Sequence, residues 1–476
     1  MIKDLEHKFS KEQLTEDFVF LRKSLEEGHF GLYRHRKKEE MDAKFDEAYS
    51  LVNKPMNILE FYRILAPAVY FMGDGHTFIL PEKRLYYHII NEIGVFPIKP
   101  VFIDKKFYVY RNYSQDESLT TGTEIVSING ISSQEIIKDL LPFVQIDGFG
   151  EERKLSSLEE KFDRLFLLFY GIKTEHEIEY IDWQNKEKRK TKVQLVKKTE
   201  LKQIQKKRYP NDLSQPLYQF ELYDNLRTAR LTIKSFINSK KYAKQTGELE
   251  QRDYGKLKDF LKNSFKRIKE EEVQNLIIDL RDNAGGSEDL VILLYGYIAK
   301  EAFQFFEGLY LKKKEYNFLK EAGKKSDEFL VKIVRKEETD QGYKIHNFFF
   351  MVPLYKIYKP KKNAFSGKVF ILINGNCFSA ASEFATICHH LERAKFVGEE
   401  TKGAYVGNSS GLTTFLNLPH TKMLASIPMF RYVMPVPQED NHRGIIPDYK
   451  VEKNIDDIVE GKDTQLDFIL NLIREK

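Results

Sequence analysis

Ser379 occupies a position where a hydroxyl could become a nucleophile. Residues 369–373 (VFILI) form a continuous apolar run of the kind that builds a strand covered on both faces, and Asn374, Gly375 and Asn376 supply the turn that ends it. From Ser379 onward the period changes. Phe384, Ile387, Cys388 and Leu391 recur at helical spacing, so the hydroxyl falls where a helix N-terminus leaves amide hydrogens unpaired and positively polarised. An alkoxide or tetrahedral oxyanion would be stabilised there. A helix N-cap asks for the same short oxygen side chain, and this stretch alone leaves cap and nucleophile equally open. Residues 273–286 (VQNLIIDLRDNAGG) repeat the layout of buried strand and polar turn. Gly285 or Gly286 can bring a bare backbone amide close to a reacting carbonyl oxygen, as an oxyanion hole requires, and Ala380 beside the serine offers another. An isolated Gly-Gly reads more simply as a turn with Arg281 and Asp282 on the surface. Two such strand-turn sites in one chain argue for an active crevice at the carboxyl ends of a sheet.

Serine needs a neighbouring proton acceptor, and neutral imidazole suits that task near neutral pH. Of the 11 histidines, His76 follows an aromatic, glycine-bearing block (Tyr70, Phe71, Met72, Gly73) that reads as a placed loop. Most of the others read as exposed or internally satisfied. His389 and His390 lie about three helical turns beyond Ser379, too remote to reach it from the same helix. Cys377 lies in the turn before the helix and reads as a packing residue. The two cysteines, with no CxxC, HExxH or glycine-rich phosphate motif, suggest neither a metal site nor a disulfide framework.

Four blocks, MGDGHTF, IIDLRDNAGG, NGNCFSAASEF and FVGEETKG, resemble in order and spacing the S41 family of serine peptidases, which includes the carboxyl-terminal processing proteases and the tricorn core. The flanking material is similar too: FSKEQLTEDFVFLRKSLEEGHFGLYRH resembles the family's N-terminal helical segment, TGTEIVSING a PDZ-type signature, and RGIIPDYKV the end of the catalytic domain. The resemblance implies an α/β, crotonase-like (ClpP/crotonase) catalytic domain with an N-terminal helical segment and a PDZ-like β-rich domain. It also implies a peptide or protein substrate, no cofactor and no metal. In the processing proteases the base is a lysine just past the VGExTxG block, where this chain has Ala404; Lys402 stands two residues earlier, a displacement of roughly 7 Å along a strand. The tricorn-like group takes its base from the DGH block, which makes His76 the candidate. That group orients its histidine partly through a glutamate before GVxPD. The corresponding position here is Asn441, or Asp440 with a one-residue shift, and Gly75 replaces the serine that precedes the tricorn histidine. The resemblance thus implies acyl transfer to Ser379 with His76 as base and the amides of Gly285 or Gly286 and of Ala380 holding the oxyanion. The missing glutamate keeps a catalytically silent peptide- or lipid-binding homologue as the alternative. A crotonase-like acyl-CoA enzyme is a third reading, opposed by the serine at the helix start.

Elements must bring these distant residues together. At 476 residues the chain exceeds one ordinary core. The patterning divides it into an N-terminal helical segment (1–80), a PDZ-like domain (90–200), an α/β catalytic domain (218–455) and a closing helix (456–476). Ser10 with Gln13 predicts a capping box opening a helix, with further helices over about 38–52 and 58–71. Short alternating runs over 95–196 enclose a helical insert at 155–170, in a module of a kind that can take a peptide onto a sheet edge or, as the insert suggests equally, one that merely packs against the catalytic domain. Residues 201–217 read as a polar linker. The basic run 186–198 reads as a solvated hairpin arm, and 312–362 as a charged stretch covering the site or decorating the surface. Leu466, Ile469, Leu470 and Ile473 give an amphipathic last helix, capped by Asp463 or Thr464. The formal charge of +5, from 76 basic and 71 acidic residues, makes no case for nucleic acid. The polar start (MIKDLEHKFS) predicts no membrane anchor or signal peptide, so the chain is expected to be soluble as given, with the mature form of an exported bacterial protein left open.

Overall fold

The computed structural model describes residues 5–237, 257–347, 355–438 and 442–475. It is a mixed α/β structure with three larger sheets. The central one runs in the order Tyr449–Lys450, Lys395–Gly398, Lys368–Ile373, Asn275–Asp279, Thr228–Ile233, Tyr218–Tyr223, and only the last pairing is antiparallel. Its two middle strands carry the apolar runs because both faces are covered. Leu276, Ile278, Ile371 and Ile373 enter the main core, while Ile277, Phe370 and Leu372 form a second cluster with Leu466, Ile469 and Leu470 of the closing helix Thr464–Arg474. Asp463 caps that helix by accepting from Leu466 N–H at 3.1 Å.

Arg281 turns back from the end of strand Asn275–Asp279 into a charged knot. It donates to both oxygens of Asp463 at 2.7 Å and to Asp279, whose other cationic partner, Arg230, lies at 2.6 Å. Burial opposes a charge on Asp279, yet these guanidiniums hold its carboxyl well below the usual carboxylate range. Arg281 is therefore a structural residue tying the last helix to the sheet, not a surface one.

The second sheet runs Phe78–Leu80, Leu424–Val433, Gly308–Leu311, Gly342–Asn347, Arg335–Thr339, with Gly407–Asn417 on the other side of Leu424–Val433. The stretch expected to cover or decorate the site is built into this sheet; residues 348–354 of it lie outside the described residues. The N-terminal helices Lys11–Gly28, Lys38–Ser50 and Ile58–Tyr70 match the expected positions, and the Ser10–Gln13 capping box is formed. Buried Asp17 fastens the first helix to the second sheet by accepting from His420 N–H and Thr421 N–H at 2.7 and 2.8 Å.

The third sheet, Ile98–Ile103, Lys106–Asn112, Glu124–Ile128, Glu175–Ile181, Lys188–Gln194, carries a long helix, Glu151–Tyr170, against its first strand. The basic run forms its last strand, where Lys188, Lys190 and Lys192 pair with Glu179 and Glu175 of the neighbour. Both outer edges are already occupied at specific points. Glu159 accepts Phe102 N–H at 2.8 Å beside Pro100, which has no N–H. Gln115 donates to Lys192 O at 3.1 Å and accepts Gln194 N–H at 3.3 Å. The expected linker 201–217 is instead mostly helical, Lys198–Arg208 and Pro210–Ser214. Arg208 donates to the carbonyls of Asn112 and Ser114, and Asp212 pairs with Arg111, contacts that composition alone does not reveal.

Replacing Arg281 by Leu leaves Asp279 buried with Arg230 as its remaining ion-pair partner. The expected loss is about 3 kcal/mol of unfolding free energy, read as a lower denaturation midpoint at unchanged slope.

Candidate active site

The central sheet places its two middle strands side by side, Ile278 opposite Ile371, so the turns that follow them meet at its carboxyl end. Those turns are stitched together. Asp282 N–H donates to Asn374 Oδ1 at 3.0 Å, and the Asn374 and Asn376 amides donate to Asp282 Oδ1. Phe378 N–H donates to Asn283 O at 3.0 Å, and Cys377 Sγ lies 2.8 Å from Leu280 O. Burial pushes the Cys377 thiol up to about 12, which suits packing and not nucleophilic chemistry.

Ser379 precedes the helix Ala380–His390 with φ 52° and ψ −130°, a conformation that side chains other than glycine's rarely adopt. Its hydroxyl makes no N-cap bond. The strained strand-to-helix turn leaves the hydroxyl 3.1 Å from His76 Nε2 instead. Gly285 lies directly beneath it. With φ +99°, a methyl group here would stand 2.8 Å from Ala380 N, Phe378 O and Ser379 Cβ. The amides divide unequally. Gly285 N–H is committed to Asn283 Oδ1 at 2.8 Å, whereas among the described residues no hydrogen bond takes up Gly286 N–H, and Ala380 N–H is the first of its helix and has no intrahelical partner. Of the expected oxyanion donors, Gly286 and Ala380 are free to act and Gly285 supplies only the space.

His76 comes from 303 residues earlier, and its Nε2 lies 3.1 Å from Ser379 Oγ. It leads into strand Phe78–Leu80, where Ser426 Oγ donates to His76 O at 3.1 Å. Asp74 shapes its loop: Oδ1 accepts His76 N–H at 3.0 Å, Thr77 N–H at 2.9 Å and the Thr77 hydroxyl at 2.8 Å. Fully buried His29 reaches Thr77 Oγ1 at 2.7 Å and Asp74 Oδ2 at 3.6 Å. Burial depresses the His76 pKa below its ordinary value, with Asp147 and Asp74 opposing and Lys402 and His29 adding to the depression. The imidazole stacks on Phe378 at 4.3 Å between ring centroids, and Lys402 Nζ lies 4.8 Å from that same ring. Burial pushes the Lys402 amine down to about 8, but no hydrogen bond joins it to Ser379 among the described residues.

Asp147 was not expected. It is 1% exposed and sits in the loop before helix Glu151–Tyr170, and with Asp74 and His76 it brings three possible donor atoms within 4.8 Å of one another. Both oxygens of the Asp147 carboxylate are engaged by the protein: Oδ1 accepts Gly75 N–H at 2.7 Å and Oδ2 accepts Ala404 N–H at 3.3 Å. The only sign of it in the sequence is the IDGFG turn inside an otherwise helical stretch. Asp440 and Asn441, the candidates for orienting His76, lie outside the described residues. His389 and His390 end the serine helix, where His389 packs against Phe396 and Tyr405. A separate cavity of about 240 Å³ is lined by Arg153, Ser156, Glu159, Gly375 and Lys453, with Lys453 paired to Glu159 at 2.8 Å.

Residues 227–451 match peptidase family S41, and it is through this region that the chain resembles that family. Among solved structures it is similar to mature CPAF complexed with lactacystin, with a TM-score of 0.67 at 13% identity over 97% of this chain and 98% of that one. It is similar likewise to a mutant of CPAF, with a TM-score of 0.65 at 12% identity over 94% of each chain. At such identities the likeness establishes the fold. No curated protein sequence matches the chain. No helix among the described residues is long and apolar enough to cross a membrane.

Gly285→Ala is expected to lower stability by more than about 1 kcal/mol, since alanine cannot adopt this φ without strain. It should also cut peptidase activity by at least about 100-fold by displacing Ser379 and Ala380. Thermal denaturation and kcat/KM on the same preparation check both.

Proposed function

We propose that the chain is a serine peptidase in which Ser379 attacks a peptide carbonyl with His76 as general base. The observation that carries this reading is the 3.1 Å contact between His76 Nε2 and Ser379 Oγ, formed across 303 residues beside a strained serine with no capping role. Burial favours the neutral imidazole, which accepts the serine proton as the hydroxyl oxygen adds to the carbonyl carbon. The oxygen that becomes negative faces Gly286 N–H and Ala380 N–H, donors fixed before the reaction begins. His76 then gives its proton to the leaving amine, and water, activated by the same imidazole, releases the acyl group and frees the serine.

Within this reading the region around the central and second sheets is the crotonase-like catalytic domain of the family, and the third sheet with its helices is the PDZ-like module. The occupied edges of that module favour a supporting role over strand addition. The silent-homologue alternative leaned on the missing glutamate and on Gly75. Support for it is weakened by Asp147, which provides a carboxylate near His76, and by Gly75, whose amide binds that carboxylate.

Ser379→Ala is expected to lower peptide hydrolysis by at least about 1,000-fold, because the nucleophile is removed while the fold stays intact. It should also abolish labelling by a serine-directed phosphonate; undiminished hydrolysis by the folded variant rejects the assignment. The pH profile is a second check. The base must be neutral, and burial lowers its pKa, so kcat/KM should rise with pH through a midpoint below the ordinary histidine value of about 6.5 and stay high above it.

A further inference from the structure

The third sheet and its helices contribute one residue to the centre, Asp147, and the surrounding loop is bonded to the histidine loop and to the segments around Lys402 and His442. Asp147 N–H donates to Lys402 O at 3.3 Å, Gly148 N–H to Gly73 O at 2.8 Å, and Phe149 N–H to His442 O at 3.0 Å. Arg153, 2% exposed, holds the same junction from the first turn of helix Glu151–Tyr170. Its guanidinium donates to Asp147 O at 2.9 Å, Lys402 O at 3.2 Å, Thr401 O at 3.3 Å and His442 O at 3.2 Å, and pairs with Glu400 at 3.2 Å. Gly148 leaves no room for a side chain, since a methyl group would fall 2.0 Å from His442 O.

We propose that Asp147 is the positioning residue for His76: its carboxylate, supplied by the third-sheet module, orients the imidazole and balances the positive charge that imidazole takes up when Ser379 reacts. This rests on the reading of His76 as base. Three observations carry it. Asp147 Oδ1 binds Gly75 N–H, the amide immediately before His76, so carboxylate and histidine loop move as one. His76 Nδ1, the ring nitrogen not facing Ser379, is buried without a hydrogen-bond partner among the described residues, and one ring nitrogen of His76 and carboxylate oxygens of Asp147 and Asp74 lie within 4.8 Å of one another. Catalytic hydrogen bonds of resting enzymes are often long and tighten when the reaction centre forms. Finally, Asp147 Oδ2 is held only at 3.3 Å, by Ala404 N–H, whereas Asp74 Oδ1 accepts three protein hydrogen bonds and its Oδ2 faces His29. Asp74 folds the loop; Asp147 Oδ2, with one long hydrogen bond, retains a lone pair for a further donor. The charged and titratable groups facing His76 are Asp147 and Asp74 on one side of the balance and Lys402 and His29 on the other, with Arg34 acting on Asp147.

The test is the rate at which a serine-directed phosphonate labels Ser379, measured against pH in the full chain for wild type, His76→Ala and Asp147→Asn. Asp147→Asn keeps an acceptor for Gly75 N–H while removing the charge. The expected result is a fall of about 100-fold or more in labelling, with the acid limb moved to lower pH, because removing a negative neighbour lowers the pKa of the imidazole. A merely structural role would lower the rate without moving that limb. An unchanged rate and limb in Asp147→Asn, with His76→Ala inactive, overturns this proposal alone; full labelling of His76→Ala overturns the base assignment beneath it. If Asp147→Asn does not fold, the wild-type phosphonate adduct decides. A far-downfield imidazole proton resonance, marking a strong bond from Nδ1–H to a carboxylate, is expected there, and its absence overturns the proposal.

Discussion

The proposed mechanism depends on one desolvated contact, the approach of the His76 imidazole to the Ser379 hydroxyl. Neither group has useful chemistry alone. Serine in water keeps its proton, and a solvated histidine carries a proton for much of the range in which peptidases work. Burial resolves both problems by penalising the imidazolium, so His76 rests in the accepting form. The same burial would make the imidazolium of the tetrahedral state costly, and carboxylates within 4.8 Å counter that cost. Low dielectric explains the neighbours as well: Lys402 is pushed down to about 8, and Glu383, one turn along the serine helix, is pushed up to about 8 by burial and by Glu288. Burial thus shifts the titration of both groups beside Ser379 toward the neutral range.

Such a contact needs a backbone held where it would not go by itself. Ser379 sits at φ 52°, a conformation costing on the order of 1–3 kcal/mol, and its turn is balanced against that of Asp282, also at positive φ. The two bond to each other through Asp282, Asn374 and Asn376, while parallel pairing of the strands behind them fixes their register. Cooperative strain of this kind persists because each turn is over-determined by the other.

Local features of this arrangement were legible in the sequence and convergent ones were not. The apolar strands, the polar turns, the serine at the helix start and the capping boxes are written in contiguous residues, where period and turn chemistry act. Which glycine amide is free was not legible. Asn283 takes up the Gly285 amide from two residues away, an Asx interaction that composition leaves ambiguous. Asp147 could not be found because nothing in its spacing ties it to His76; only the folded loop does. The helices over 198–214 were hidden by their polarity, since they bury little and are fixed by Arg208 and Asp212 reaching across to the third sheet.

The third sheet is where sequence pattern and folded chemistry part most clearly. A β-rich module with a free edge suggests capture of an extended chain, yet its edge amides meet Glu159 on one side and Gln115 on the other, and Pro100 removes a donor. Admitting a strand would strip Phe102 N–H from a carboxylate that is itself paired with Lys453, so the incoming peptide would have to replace a charge-assisted bond with a neutral one. The helix that blocks the edge also carries Arg153, which grips the loop of Asp147. Closing the edge and holding the Asp147 loop are thus done by two residues of the N-terminal half of one helix. Displacing the helix to free the edge would pull on the loop behind His76, so edge occupancy and an intact catalytic contact are coupled through the same twenty-residue helix.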